Sequence, residues 1–300
     1  MAHRDAPRAT PRHRDWKLVV QRVREDLTKR RIIAIAAGVT FYSILAIFPA
    51  LAALVALYGL LADPSTIARN LDSVASVIPS GGIEVLREEI NRIAAQSAGS
   101  KGLTVVVGLG ASLWSANGGI KAMFDALNVV HGVDEKRGFI VLNAVSLAFV
   151  LGGLVFVLLA IGAMVALPIV LNHVGLENET KLIVSIVRWP ALFAAVALLL
   201  AFVYRFGPNR ENPRWRWITW GSAIASVGWL VASLLFSWYA ENFGNFNKTY
   251  GSLGAVIGFM MWIWLSAIVV LMGAELDSVM ERPEATPAGS QPRPGLEGSS

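Results

Sequence analysis

An uncharged stretch near the beginning of the chain decides the fold. Residues 32–62 read IIAIAAGVTFYSILAIFPALAALVALYGLLA, and none of these 31 positions is Asp, Glu, Lys or Arg. A helix that crosses a hydrocarbon layer of about 30 Å needs about 20 apolar residues, so this stretch is long enough to span a membrane. It is also longer than the apolar core of a signal peptide, which has about 7–15 residues. We therefore expect it to be an uncleaved first span.

Five further uncharged runs follow, at 102–120, 138–176, 189–204, 217–240 and 249–274. The first and third are short for a span, and the third needs extension back to Leu182 past Arg188. Charged residues make up only 16% of the chain, against about 25% in an ordinary soluble domain. A soluble protein would have to bury six nearly uncharged elements at once, which is rare. The sequence therefore predicts an all-α integral membrane protein with six transmembrane helices.

The distribution of basic residues predicts the orientation of these spans. If the N-terminus is inside, 19 of the 26 Lys and Arg residues lie on inner segments and 7 on outer segments. This bias is the one that the positive-inside rule requires. We therefore expect both ends of the chain in the cytoplasm (N-in/C-in) and the bilayer as the first partner. The net charge of +5 is interpreted as a topology signal, and no nucleic-acid partner is predicted.

Composition divides the chain into three parts. Residues 1–31 form a basic cytoplasmic arm, within which 15–31 are either a short helix on the inner leaflet or a solvated segment. Residues 32–280 form the six-span membrane domain, and 281–300, rich in Pro, Gly and Ser, a disordered cytoplasmic tail. Between the first two spans, 63–100 predict an extracytoplasmic helical hairpin. Its second arm has an apolar face made of Ile83, Leu86, Ile90 and Ile93.

Charged residues beside the spans are candidates for a substrate site, because a charge in a span costs at least about 2.5–3.5 kcal/mol. Lys121 and Asp125 are four residues apart on one helix face, so they can pair. Just before them, Gly118 and Gly119 predict a broken helix whose freed backbone groups line a cavity. Glu275 ends an uncharged run and is expected to face the bundle. The alternative for all three charges is a buried brace that fixes helix register.

Other polar residues complete the candidate cavity. Pro49 predicts a kink in the first span. Thr40 and Tyr42 either hydrogen-bond to the carbonyls that Pro49 frees or line a pore. Asn117 and Asn128 belong to the same predicted cavity. Charged residues near the span ends are instead expected to reach interfacial water; these are Arg188, Glu241 and Asp277.

Motifs of soluble enzymes are missing from the sequence. The chain has no cysteine, and its four histidines include no pair at metal-ligand spacing. It also has neither a phosphate-binding Gly-Lys-Ser/Thr loop nor a Gly-x-Ser-x-Gly elbow. No acidic cluster suited to the metal ions of a nuclease is seen. We therefore expect no enzymatic activity, no catalytic residue and no cofactor or metal.

Four stretches carry a family resemblance. They are AAGVTFYSILAIFPAL at 36–51, LWSANGGIKAMFDALN at 113–128, YRFGPNR at 204–210 and NKTYGSLGAVIGFMMWIWLSAIVVLMGAELDS at 247–278. In this order the chain resembles the YihY/BrkB family of bacterial inner-membrane proteins, formerly described as ribonuclease BN. His131 departs from the pattern, since the family usually has Tyr there.

The resemblance implies a six-helix protein of the bacterial inner membrane that is associated with envelope integrity and serum resistance. It also implies export or translocation of a lipid-like or anionic compound. We therefore expect a transporter or translocase in which Lys121 attracts an anionic headgroup, Asp125 orients it and Glu275 carries a coupling proton. The alternative is a non-transporting scaffold whose outer hairpin docks envelope proteins. The ribonuclease function is disfavoured.

Overall fold

The part of the chain that the structure describes is built entirely of helices. A computed structural model describes residues 16–59, 80–97, 102–173, 180–210, 219–242 and 253–281. These ranges contain no strand, which confirms the all-α class. The eight helices are α1 (Trp16–Lys29), α2 (Ile32–Gly59), α3 (Ser80–Ser97), α4 (Gly102–His131), α5 (Phe139–His173), α6 (Thr180–Phe206), α7 (Trp220–Asn242) and α8 (Leu253–Glu281).

Four of these helices contain a segment that is long and apolar enough to cross a membrane. The segments are Ile32–Tyr58, Phe139–Ala160, Trp220–Ala240 and Val256–Glu281, in α2, α5, α7 and α8. The remaining two predicted spans lie on α4 and α6, and α6 carries the shorter apolar segment Pro190–Phe206. The chain is thus a multi-pass membrane protein by the composition of its helices. The count of six spans and their orientation stay predictions.

Two hydrophobic clusters hold the helices together. The larger cluster joins the beginnings of α2 and α7 to the ends of α4, α6 and α8 through small and branched side chains, among them Ala36, Leu127 and Leu271. The smaller cluster joins the second half of α2 to α3, α4 and α5 around Val55 and Ile90. In lipid, such contacts stabilise through close packing, since the hydrocarbon tails are themselves apolar. The larger cluster gathers the helix ends that the sequence places on the cytoplasmic side.

The α7–α8 crossing is the closest approach seen at glycines. A Cβ atom on Gly273 would lie 2.5 Å from Ala225 Cβ and 2.8 Å from the carbonyl oxygen of Gly221. A Cβ atom on Gly221 would lie 2.2 Å from the carbonyl oxygen of Gly273. Only glycine allows two helices to touch at this distance.

The structure describes only the second arm of the hairpin predicted at 63–100. α3 covers Ser80–Ser97, and its residues Ile83, Leu86 and Ile90 are buried, as the sequence predicts. This face packs on α2 and α8, so the arm lies against the bundle. The first arm, at 64–78, lies outside the described residues.

α1 is a helix, which favours the first of the two interpretations of residues 15–31. Val19, Val23 and Leu27 are half-buried at four-residue spacing, and α1 packs against α8. Trp16 and Val20 are exposed, so the face of α1 that packs on the bundle follows the four-residue spacing of Val19, Val23 and Leu27. The remaining 15 residues of the arm and the tail from 282 lie outside the described residues.

Candidate functional site

A polar cluster lies between α4 and α5 at the level of Lys121. The Lys121 ammonium donates a hydrogen bond of 2.6 Å to Asn143 Oδ1, and Asn117 Nδ2 donates one of 3.0 Å to the same oxygen. Asn143 Nδ2 donates in turn to the carbonyl oxygen of Phe139 at 2.7 Å. One amide and one ammonium group thus donate to the same side-chain oxygen. We call Asn117, Lys121 and Asn143 the amide–lysine cluster.

Two aromatic rings flank the ammonium group. Lys121 Nζ lies 5.8 Å from the centroid of the Trp114 ring and 5.9 Å from that of Phe139. Both distances are within the range of cation–π attraction. Both rings are exposed at the surface of the bundle, so the half-buried Lys121 lies close to that surface.

No carboxylate forms an ion pair with Lys121 in the part of the chain that the structure describes. None of the ion pairs among these residues includes Lys121. Asp125 was expected to pair with it, but Asp125 is exposed and makes no such contact. That pairing is therefore wrong, because Lys121 turns toward Asn143 on α5 and leaves its own helix face.

Asn117 has an acceptor without a partner. Its side chain is only 1% exposed, and no donor within the described ranges bonds to its Oδ1 atom. The orientation of the amide is fixed, because only the NH₂ group can donate to Asn143 Oδ1, whose own amide group is committed to Phe139. An unsatisfied buried acceptor costs about 1–3 kcal/mol and is uncommon in a native protein.

The glycine pair does not break α4. The helix runs without interruption from Gly102 to His131, so the expected break is wrong. The physical reason is packing: a Cβ atom on Gly119 would lie 2.8 Å from Ala46 Cβ on α2. Gly118 differs, since a Cβ atom there would meet no heavy atom within 4 Å. Gly119 lets α2 approach, and Gly118 leaves an open notch beside Lys121.

Thr40, Tyr42 and Pro49 lie on α2, away from the amide–lysine cluster's hydrogen bonds. Thr40 is buried and donates to the carbonyl oxygen of Ala36 at 2.7 Å, so its hydroxyl does not serve the carbonyls beside Pro49. Tyr42 is 51% exposed and makes an edge contact with Phe41. α2 remains helical through Pro49, and the kink stays a prediction.

Asn128, eleven residues after Asn117, belongs to a second polar cluster. Its Nδ2 atom donates to Glu135 Oε2 at 3.0 Å, and its Oδ1 atom accepts from the backbone N–H of Asn209 at 2.7 Å. Arg137 donates to both carboxylate oxygens of Glu135, through Nε at 2.8 Å and Nη2 at 2.5 Å. Every polar atom of the Asn128 and Glu135 side chains therefore has a partner. We call Asn128, Glu135 and Arg137 the loop cluster.

The loop cluster binds the C-terminal end of α6. Arg137 also donates to the carbonyl oxygens of Gly207 at 2.8 Å and Phe206 at 3.3 Å. Arg210 donates to the carbonyl oxygen of Tyr204 at 2.7 Å. Cations that bind the last carbonyls satisfy groups that a helix end leaves unpaired. The stretch 204–210, conspicuous in the sequence, is thus a helix terminus held by two arginines.

The acidity of Glu135 reflects these contacts. The hydrogen bonds from Arg137 lower the pKa of Glu135 from 4.5 to about 2, with a smaller lowering from Asn128 and an opposing effect of burial. Glu135 is outside the spanning segments, in the connection between α4 and α5. A carboxylate so fully bonded is ionised throughout the physiological range.

Glu275 faces the bundle, as expected, and contacts the N-terminal arm. Its side chain is 0% exposed, and its Oε2 atom lies 3.8 Å from Arg30 Nε. Arg30 also donates to the carbonyl oxygen of Val129. Residue Arg31, between α1 and α2, has φ of 53°, a left-handed backbone that costs energy without glycine. Glu275 therefore ties the arm to α8.

Asp277 was expected to reach interfacial water, and this expectation is wrong. The residue is only 7% exposed. Its Oδ1 atom accepts from the backbone N–H of Gly221 at 2.8 Å, and its Oδ2 atom accepts from the Thr219 hydroxyl. Thr219 also accepts from the N–H of Ser222 at 3.0 Å. An anion at this helix beginning is favoured by the exposed N–H groups and the helix dipole.

Sequence reasoning missed several participants, among them Asn143, Glu135, Arg137 and Asn209. Asn143 carried a usable signal, because it is an amide five residues inside an otherwise apolar run. Glu135 and Arg137 lie in a polar connection, where nothing distinguishes them from ordinary solvated residues. Asn209 lies in the conspicuous stretch 204–210, but nothing in the sequence indicated its partner Asn128. Among the described residues, no three His, Asp or Glu side chains are grouped where a metal ion could bind.

Comparison with known proteins identifies the family. A family model described as "Virulence factor BrkB" matches residues 23–295. The chain belongs to the BrkB family. This match covers every helix from the second half of α1 to α8. It confirms the resemblance that is carried by the stretches at 36–51, 113–128, 204–210 and 247–278.

Curated relatives in the BrkB family are moderately similar. The chain is 29% identical over 188 residues to a putative ribonuclease-like protein of Bacillus subtilis, with 60% of this chain and 66% of the relative covered. It is 29% identical over 271 residues to a UPF0761 membrane protein of Neisseria meningitidis serogroup B, with 87% and 61% covered. A UPF0761 membrane protein of Chromobacterium violaceum is 30% identical over 105 residues, which is 35% of this chain and 25% of the relative. The chain thus spans at most about two thirds of these relatives. No solved structure matches it.

Proposed function

We propose that the protein is a transporter or translocase of a lipid-like or anionic compound in the bacterial inner membrane. The observation that carries the proposal is Lys121, a half-buried cation that is held by an amide oxygen and two aromatic rings, without a carboxylate in the described residues. A cation held in this way beside the lipid attracts an anion and retains donors for it. Membership of a family of membrane proteins supports the location of the protein in a membrane.

The proposal includes six spans with both ends in the cytoplasm. The uncharged run 102–120 would make α4 the second span, so that Lys121 stands at its inner end. The envelope then supplies the substrate, and no catalytic step, cofactor or nucleic acid takes part. The ribonuclease-like name of the Bacillus subtilis relative is not carried over, because we assign the charge at Lys121 to substrate binding and not to catalysis.

Proteoliposomes test the proposal. The purified full-length protein is reconstituted with a trace of phosphatidylglycerol that carries a fluorophore on its acyl chain, and dithionite reports how much label reaches the inner leaflet. We expect the wild-type protein to move the label faster than empty liposomes. We expect Lys121→Gln to slow the movement by about tenfold or more, since a charge-assisted hydrogen bond contributes about 1.5–3 kcal/mol.

Matched variants control this experiment. Lys121→Arg keeps the charge and should retain most of the rate, whereas Lys136→Gln removes a charge in the exposed connection after α4 and should behave as wild type. Equal rates for wild-type and protein-free liposomes would exclude the translocase. Equal rates for wild type and Lys121→Gln would remove Lys121 from the site.

A scaffold that docks envelope proteins is the second hypothesis, and the surface of α3 favours it. Glu84, Glu88, Asn91 and Arg92 are exposed, while the opposite face is committed to α2 and α8. This polar face is available to an envelope protein outside the membrane. Deletion of 64–98 should then abolish envelope integrity in cells while Lys121→Gln leaves it intact, and the reverse result would favour transport.

A further inference from the structure

The amide–lysine cluster presents one unused acceptor and a cation side by side. Asn117 and Lys121 both donate to Asn143 Oδ1, so the two groups are within reach of a single small ligand. The unpaired Asn117 Oδ1 can only accept a hydrogen bond. The ammonium of Lys121, which has three donors and gives one to Asn143, can donate two more.

These two requirements together define a ligand. A simple anion such as chloride or sulfate would satisfy Lys121 but offers no donor to Asn117. A neutral alcohol would satisfy Asn117 but gains nothing from the charge of Lys121. A group that combines an anionic phosphate with a hydroxyl satisfies both, because the phosphate oxygens accept from the ammonium and the hydroxyl donates to the amide.

The surroundings provide an approach for such a group. The notch over Gly118 is open, with no heavy atom within 4 Å of where a Cβ atom would stand. Trp114, one turn before Gly118, is exposed, as is Phe139 on the other side of Lys121. Lys121 lies three residues after Gly118, on the same side of the helix, and its flexible stem lets the ammonium turn toward the notch when an anion arrives.

We propose that Asn117 and Lys121 form a headgroup site for a hydroxyl-bearing phosphate, of which glycerol phosphate is the simplest biological form. The inference rests on the proposed function and names its substrate class. The phosphate binds Lys121 and a headgroup hydroxyl donates to Asn117 Oδ1. Either a glycerol-phosphate lipid or soluble glycerol phosphate carries this chemistry.

Two lipids that differ only in their hydroxyl groups test the inference. Phosphatidylglycerol and phosphatidylpropanol with the same acyl chains carry the same charge, but the second has no headgroup hydroxyl. Binding of each to the purified full-length protein is measured by native mass spectrometry. We expect the wild type to prefer phosphatidylglycerol by about three- to tenfold, the range of one neutral hydrogen bond to a buried acceptor.

Two variants separate the roles of the cluster. In Asn117→Leu the preference ratio should fall to about one, since the acceptor is gone. In Lys121→Gln the binding of both lipids should fall by about tenfold or more, while Lys136→Gln keeps wild-type values. Competition by sn-glycerol 3-phosphate distinguishes the sources: displacement of the lipid at similar concentration supports the site with a soluble ligand, and no displacement supports it with a lipid ligand.

Equal binding of phosphatidylglycerol and phosphatidylpropanol by the wild-type protein would overturn the inference, whatever the variants do. That result would leave the translocase untouched if Lys121→Gln still slowed movement in proteoliposomes. Conversely, a preference that survives in Asn117→Leu would place the hydroxyl recognition elsewhere and overturn the assignment to Asn117. Failure of movement in proteoliposomes would exclude the translocase while a measured preference would still establish the site.

Discussion

The polar stretch on α4 has an asparagine at each end, and the two differ in how many of their polar atoms are hydrogen-bonded. This difference separates a structural role from a binding role. Asn117 and Asn128 are both buried asparagines, 1% and 4% exposed. Asn128 uses both of its polar atoms, with Glu135 and Asn209 as partners. Asn117 uses only its amide nitrogen. A fully bonded amide stabilises the fold, whereas an unfinished one costs stability and is retained where a ligand completes it.

The charged residues beside the two asparagines, Arg137 and Lys121, differ in the same way: the first is fully paired and the second is not. Arg137 is neutralised by Glu135 and spends its remaining donors on the end of α6. Lys121 has an amide oxygen and two rings but no carboxylate in the described part of the chain. The loop cluster is therefore expected to determine stability, and the amide–lysine cluster to determine binding.

The largest expected effect is a difference in stability between variants of two adjacent glycines, Gly118 and Gly119. Gly119→Leu should lower the free energy of unfolding by about 3 kcal/mol, because its side chain would overlap Ala46 on α2. Gly118→Leu should leave stability unchanged or slightly raised, because leucine favours helix and the space is open. Thermal unfolding of the detergent-solubilised protein, followed by size-exclusion chromatography, measures both.

Equal losses in the two glycine variants would show that the notch over Gly118 is closed in solution. Gly118→Leu has a second use, since it fills the approach to Lys121. It should therefore reduce binding of phosphatidylglycerol although the protein remains as stable as wild type.

The next effect tests the loop cluster. Asn128→Leu should lower the free energy of unfolding by about 1–3 kcal/mol, because the N–H of Asn209 loses its acceptor and Glu135 loses a donor. Lipid binding at the amide–lysine cluster should be unaffected in the protein that remains folded. A stability equal to that of wild type would contradict the structural role of this end of α4.

Acid should weaken the same cluster. The native pKa of Glu135 is about 2, below its ordinary value of 4.5, so the native state binds fewer protons than the unfolded state between these values. Its stabilising contribution is complete above about pH 4.5 and is lost as pH falls through about 2. The melting temperature of wild type should exceed that of Glu135→Gln by a constant amount between pH 5 and 8.

Below pH 4.5 this difference should shrink, since protonation converts wild-type Glu135 into a neutral side chain like that of the variant. Parallel melting curves down to pH 2.5 measure it. A gap that stays constant over the whole range would show that Glu135 is not ionised by its contact with Arg137.

The smallest expected effect on stability belongs to Asn117. Asn117→Leu loses one hydrogen bond to Asn143 but also removes a buried acceptor without a partner, so the change in unfolding free energy should be within about 0.5 kcal/mol of zero. Chemical or thermal unfolding beside Asn128→Leu measures this directly. A loss as large as that of Asn128→Leu would erase the difference between the two ends of α4.

The sequence went furthest where only hydropathy was needed. Uncharged runs located α2, α5, α7 and α8, and the apolar stripe of α3 was confirmed at Ile83, Leu86 and Ile90. It was wrong about the glycine pair and Asp277, because both depend on a neighbouring helix. Gly119 meets α2, and Asp277 meets the beginning of α7. Neither contact has a signal within the local sequence.

By itself the sequence determined that this chain forms apolar helices for a membrane, because hydrocarbon selects the composition along each helix independently of its neighbours. The sequence also determined that the chain belongs to the BrkB family. The tertiary structure alone decided which polar groups meet. It gave Asn128, Glu135 and Asp277 complete sets of partners, whereas it left Lys121 without an ion pair and the Oδ1 atom of Asn117 without a donor in the described part of the chain. The reason is that a hydrogen bond depends on distances of a few tenths of an ångström between helices, and helix crossings set these distances.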